Sequence, residues 1–198
     1  MKNLIGVVNY GIAGNIHSIK KAIKKAGGEV LVIEQADDFS KVDKVVIPGV
    51  GSFKDAMKEL QQSNLLQSLK SCEKPMLGVC LGMQILARLG YEYGKTEGLG
   101  LVNAEVKPIL CDAQVPHMGF NNIEVIKSNA LLKGLEDEEF YFMHSYEFVN
   151  YTDITALTEY ARHKFVSAIH KDNIYGVQFH PEKSREAGIQ LFKNFIDL

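Results

Sequence analysis

The sequence predicts an α/β chain built on a doubly wound parallel sheet, with antiparallel strands added in its C-terminal half. Short runs of continuous Val, Ile and Leu, namely LIGVV (4–8), EVLVIE (29–34), DKVVIP (43–48) and PMLGVC (75–80), alternate with stretches of helical spacing. Strands apolar on both faces belong to a parallel sheet covered by helices on both sides. After about residue 100 the rhythm shortens to closely spaced strand-like pieces.

The first strand, LIGVV, runs into the Gly-rich turn NYGIAGN. From Asn15 to Ala26 the residues Ile16, Ile19, Ile23 and Ala26 recur at helical spacing, and Gly27 and Gly28 end that helix. The strands at 29–34 and 43–48 come next, followed by helical stretches around FKDAMKEL and LLQSLK. PMLGVC is then a strand and LGMQILARLG a helix. In the second half GLVNAEV, NIEVI, FYFMHS, ITALTEY and FVSAIHKDNIYGVQFH read as strands, with KDN marking a hairpin turn. A helix from Ser184 to Ile196 closes the chain. The 198 residues contain no internal repeat and no linker-like segment, so a single domain over 1–198 is expected.

Hydrophobic residues make up 46% and charged residues 23%, as in ordinary globular chains. The formal charge of −2 offers neither a basic face for nucleic acid nor a polybasic membrane patch. No apolar run approaches the ~20 residues that span a bilayer, and the N-terminus turns polar too soon for a signal peptide, so a cytoplasmic protein is expected. Cys72, Cys80 and Cys111 contain no C-x-x-C pair, which argues against a disulfide framework and a cysteine zinc site.

Open α/β sheets bind ligands beyond the carboxyl ends of their strands, which singles out NYGIAGN, PGVGSF (48–53) and CLGMQ (80–84). GVCLG has the glycine spacing of G-x-S-x-G with cysteine as the nucleophile, where a strand passes into a helix. So tight a turn requires Gly78 and Gly82 to lack side chains, and it strains the nucleophile's backbone. A helix N-terminus favours thiolate, and the Leu81 N–H would point at a developing oxyanion. On this spacing alone Cys80 is either a nucleophile or a small buried hydrophobe, the common state of free cysteine. Cys72 and Cys111 have no such setting.

A thiol nucleophile needs a base, and the base an orienting group. In IYGVQFHPE an apolar strand delivers His180 at its carboxyl end, Pro181 stops the strand, and Glu182 lies two residues on, able to hold the imidazole tautomer. His17, His163 and His170 read as surface or half-buried structural residues. His117 and His144 lie beside aromatics, which suits packing or an interface better than chemistry. Gly49 and Gly51 in PGVGSF let the backbone approach a ligand, so this loop can supply a second oxyanion donor.

PGVGSF, GVCLGMQ and VQFHPE, in that order on an α/β chain, resemble the class I (triad) glutamine amidotransferases, which have a flavodoxin-like fold. Within that family the chain is most similar to the glutaminase subunits of imidazole glycerol phosphate synthases, through NYGIAGN, EGLGL (97–101), PHMG (116–119), YFMHSY (141–146) and HPEKS (180–184). The resemblance implies that Cys80 attacks the side-chain amide of L-glutamine to form a γ-glutamyl thioester. His180 would protonate the departing ammonia and then activate water, with Glu182 orienting it. It places Gly51 and Leu81 at the oxyanion, and Gln84, Glu92, Ser145 and Tyr146 around glutamine, without metal or cofactor. It also implies a (β/α)8-barrel cyclase partner that receives the ammonia in histidine biosynthesis, faced by Asn15, Tyr141 and Lys183. Three departures lie on the partner-facing side: Asn9 where the family has Asp, an extra residue before Gly14, and Phe120 where PHMG is usually followed by Trp. They bear on the partner and acceptor, since related subunits feed ammonia to other synthases, including those that amidate sugars.

Overall fold

The computed structural model describes residues 3–11 and 15–198; the extra residue before Gly14 lies outside them. The first half runs β1 (Leu4–Val8), α1 (Ile16–Lys25), β2 (Glu29–Ile33), β3 (Lys44–Ile47), α2 (Phe53–Gln62), α3 (Leu66–Lys70), β4 (Met76–Val79), α4 (Leu81–Gln84) and β5 (Ala87–Gly90). There follow β6 (Thr96–Glu97), β7 (Val102–Pro108), β8 (His117–Asn122), β9 (Glu124–Val125), β10 (Glu139–His144) and β11 (Tyr146–Val149). The chain closes with β12 (Ile154–Tyr160), β13 (His163–Lys171), β14 (Ile174–Val177) and α5 (Arg185–Asp197).

Eight strands form the main sheet in the order β2-β1-β3-β4-β14-β13-β12-β9. The first five are mutually parallel, and the last three are joined antiparallel. This is the flavodoxin-like order extended at one edge. Period-two alternation sends Ile5, Val7, Val46, Leu77 and Val79 to one face, against α1 and α5. Val8, Val45, Ile47 and Met76 go to the other face, against α2. Both faces of the parallel strands are thus dry, which is why those strands read as unbroken apolar runs.

The helix expected over LGMQILARLG is a correction: α4 is a single turn, and Ala87–Gly90 is a strand. Tertiary pairing overrides helical propensity here. The carbonyls of Ile85, Leu86 and Ala87 accept N–H groups of Leu99, Leu101 and Gly100 at 2.8–3.1 Å, all from the EGLGL stretch. A side chain at Gly98 would land on the Ala87 carbonyl, so only glycine permits this approach. β5 instead joins β6, β7 and β11 in a second sheet. NIEVI contributes only a two-residue strand, and β8 pairs with β10 in a two-stranded ribbon that the sequence reading did not anticipate. The hairpin expected at KDN is present between β13 and β14, with Asp172 at φ 53°.

The elbow depends on Gly82, whose absent side chain would occupy the position of the Ile47 carbonyl on β3. Gly82→Ala is expected to cost about 3 kcal/mol, the upper end for overpacking against rigid backbone. Urea unfolding measures this, and an unchanged midpoint would show that the elbow can relax.

Candidate active site

Cys80 sits between β4 and α4 with φ 53° and ψ −111°, the strained conformation expected of a nucleophile elbow. Its N–H bonds the Val177 carbonyl at 2.8 Å, and its own carbonyl accepts from Gln84 N at 3.0 Å, opening the helical turn. Gly78 and Gly82 are both required, because a Cβ at Gly78 would lie 2.6 Å from the Gly82 carbonyl. The thiol is 7% exposed and faces a cleft of about 430 Å³. Val50, Gly51, Leu81, Gln84, Glu92, Ser145, Tyr146 and His180 share that cleft. Residues expected at the site from five separate stretches of sequence are therefore brought together.

His180 follows β14, and its N–H bonds the Tyr141 carbonyl at 2.8 Å, tying it to β10. Its Nδ1 lies 2.9 Å from Glu182 Oε1, and both side chains are fully buried. An ionised carboxylate only accepts, so Nδ1 carries the proton and Nε2 is left for the cleft. Burial disfavours both charges. It is outweighed at His180 by the Cys80 sulfur and Glu182, which raise its pKa, and at Glu182 by His180 and Asn15, which lower its pKa. Among the described residues His180 Nε2 and Glu182 Oε2 are buried without a hydrogen-bond partner.

Glu92 anchors its loop by accepting the Phe53 N–H at 2.7 Å, at the start of α2, and burial raises its pKa. Gln84 lines the cleft with its amide nitrogen turned inward, donating to the Tyr146 carbonyl at 3.0 Å and to Gln178 Oε1 at 2.9 Å. Gly51 has φ 101°, which glycine adopts freely. Asn15, expected at a partner face, is buried here and donates to Glu182 Oε1 at 2.9 Å. Tyr141 and Lys183 touch each other, the ammonium 5.5 Å from the ring centre, and Phe120 lies between Tyr141 and the Arg185 guanidinium. Ser184 joins this surface group to the base, donating to the His180 carbonyl at 2.6 Å and accepting from Tyr141 N at 3.0 Å.

Three contacts near the cleft were not foreseen from the sequence. Tyr10 is buried against the PGVGSF loop and donates to the Pro48 carbonyl at 2.6 Å. Gln178, inside VQFHPE, reaches the Cys80 sulfur at 3.6 Å. His117 and His144, expected to pack, do so as a hydrogen-bonded pair, with Nδ1 of His117 3.2 Å from Nε2 of His144. His144 Nδ1 lies 2.9 Å from the Tyr146 carbonyl. That carbonyl can only accept, so His144 Nδ1 donates to it, and because burial keeps both rings neutral, His117 Nδ1 donates to His144 Nε2. No residue type or spacing marks the pair, since the contact exists only because β8 meets β10 at this register. Among the described residues no three His, Cys, Asp or Glu cluster as a metal site. No helix among them is long and apolar enough to cross a membrane.

A cysteine on a strand-to-helix elbow, a buried histidine and carboxylate, and a flavodoxin-like sheet together form the arrangement that a triad-type thiol hydrolase requires. Residues 7–198 match the family model "Glutamine amidotransferase class-I". The chain belongs to that family. It is 42% identical over 204 residues to the imidazole glycerol phosphate synthase subunit HisH 1 of Campylobacter jejuni, with 98% of this chain and 100% of that one covered. It is 43% identical over 199 residues to subunit HisH of Bacteroides fragilis, covering 98% and 99%. A crystal structure of a glutamine amidotransferase superposes with a TM-score of 0.76 at 18% identity, covering 98% of this chain and 99% of that one, which supports the fold.

Burial lowers the pKa of His117 to about 4 and of His144 to about 3. The unfolded chain binds protons near pH 6.5 that the folded one refuses. Stability to urea should therefore fall as pH drops from about 6.5 toward 4, and His117→Phe should flatten that fall. An unaltered slope in the variant would assign the pH dependence elsewhere.

Proposed function

We propose that this chain is the glutaminase subunit of an imidazole glycerol phosphate synthase, acting in the cytoplasm in histidine biosynthesis. It hydrolyses L-glutamine to glutamate and ammonia and passes the ammonia to a (β/α)8-barrel cyclase subunit in a heterodimer. The observation that carries the chemistry is the strained Cys80 facing a cleft with the unpartnered Nε2 of His180. The full-length likeness to subunits named HisH supports the partner and the pathway.

In this reading His180 Nε2 takes the Cys80 thiol proton, and the resulting thiolate attacks the δ-carbon of the glutamine amide, so that negative charge grows on the carbonyl oxygen. The N–H groups of Gly51 and Leu81 receive it, each such donor being worth ~10²–10³ in rate. His180 Nε2–H protonates the amide nitrogen as the C–N bond breaks, releasing ammonia and leaving a thioester. The same nitrogen then takes a proton from water, the hydroxide adds to the thioester carbon, and the sulfur departs as thiolate to give glutamate. Glu182 holds Nδ1–H throughout and balances the imidazolium. Glu92, Ser145, Tyr146 and the Gln84 oxygen surround the amino-acid end of the substrate. Tyr141 and Lys183 form the docking surface, and Asn15 acts behind it through Glu182.

A second reading, a related subunit feeding ammonia to a different synthase such as a sugar-amidating one, is favoured by Phe120. This residue presents a smaller ring than Trp on the docking surface, stacked beneath Arg185.

Cys80→Ala is expected to reduce glutamine-dependent turnover of the complex by at least ~10³ while ammonia-supported turnover survives. A mutant that still hydrolyses glutamine would remove Cys80 from its role. Co-expression with a (β/α)8-barrel cyclase should give a co-purifying pair whose glutaminase turnover exceeds that of the free subunit; no association would favour the second reading. Lys183→Ala should weaken that association by roughly tenfold with Cys80 still alkylated normally, a loss in line with a desolvated cation–π contact.

A further inference from the structure

The proposed mechanism leaves one buried group beside the nucleophile unused. Gln178 is fully buried between β14 and His180, its backbone held by the Ser167 carbonyl at 2.9 Å. Its amide bridges two groups: Nε2 lies 3.6 Å from Cys80 Sγ, and Oε1 lies 2.9 Å from Gln84 Nε2.

Which end of a glutamine amide is nitrogen must be deduced from its neighbours. The Tyr146 carbonyl can only accept. That carbonyl lies 3.0 Å from the Gln84 amide, so nitrogen occupies that position. The second N–H on the same nitrogen reaches Gln178, which must present its oxygen there. The nitrogen of Gln178 is therefore forced toward the sulfur. The His180 side chain also interacts with the sulfur, and the Met143 carbonyl, 3.9 Å from Sγ, can receive a thiol proton but offers nothing to a thiolate.

We propose that Gln178 is a catalytic residue of the glutaminase reaction: its Nε2–H donates to the Cys80 sulfur and stabilises the thiolate. It does so before attack and again when the thioester breaks and the sulfur leaves. Gln84 is the positioning residue that fixes this donor's orientation, with the Tyr146 carbonyl as the reference point. Hydrogen bonds to a charged group are stronger than neutral ones, so the effect falls on the ionised sulfur. The proposal rests on Cys80 being the nucleophile.

The test uses Gln178→Leu, which removes the donor, and Gln178→Glu, which keeps an acceptor for Gln84 while turning an oxygen toward the sulfur. Each is measured in the complex with its synthase partner. Iodoacetamide alkylation of Cys80 at neutral pH should slow about tenfold or more in both variants and recover as pH is raised. Glutamine kcat should fall at least as far, with KM within about twofold and ammonia-supported turnover unchanged. Gln84→Met should slow alkylation less, because the donor remains but is free to rotate. Should Gln178→Leu fail to fold, Gln178→Glu carries the test, since it preserves the buried contact. Wild-type alkylation at all pH values in a folded variant would overturn the proposal. Failure of the nucleophile assignment would look different: Cys80→Ala would keep its glutaminase activity, whatever the alkylation rates of the Gln178 variants.

Discussion

The site depends on the backbone at Cys80 being held at φ 53°, a conformation that costs a non-glycine residue ~1–3 kcal/mol and persists only where its surroundings leave no alternative. Two contacts remove the alternatives. The Cys80 N–H is fixed to Val177 on β14, and Gly82 rests directly on the Ile47 carbonyl of β3. Cys80 is thus pinned from both strands that flank β4. The same pinning aims the sulfur into the cleft and puts His180, three residues past Val177, at the next strand's end.

Electrostatics completes the arrangement. A buried imidazolium and carboxylate each carry a large desolvation cost, recovered only through mutual contact and further hydrogen bonds. Glu182 Oε1 takes both the His180 and the Asn15 contacts, which leaves Oε2 unpartnered. The nearby histidine pair adds no charge, because burial holds both rings neutral. A proton on His144 would also be opposed by its neighbours His117 and His180.

Much of this was legible in the sequence, for identifiable reasons. Parallel strands buried on both faces leave apolar runs that periodicity detects, and glycines two apart around a cysteine report a steric demand that the structure repeats at Gly78 and Gly82. His180 and Glu182 were legible because a proline stops the strand between them. What stayed hidden was set by long-range pairing. β5 carries helix-like sequence and becomes a strand because the EGLGL segment captures its carbonyls. The inward face of Asn15, the orientation of Gln178 and the His117–His144 contact each depend on partners 27 to 167 residues away, about which local sequence is silent.

The shortness of α4 has a consequence for what the cleft admits. An unbroken helix from Leu81 would carry residue 92 about 18 Å along its axis from Cys80. Because the helix stops after one turn, the chain doubles back, and Glu92 joins Cys80 in lining the cleft. Which residues line the cleft is therefore set by where a helix ends. The EGLGL segment, which is not part of the cleft lining, thus helps shape the cleft by fixing the chain where α4 ends.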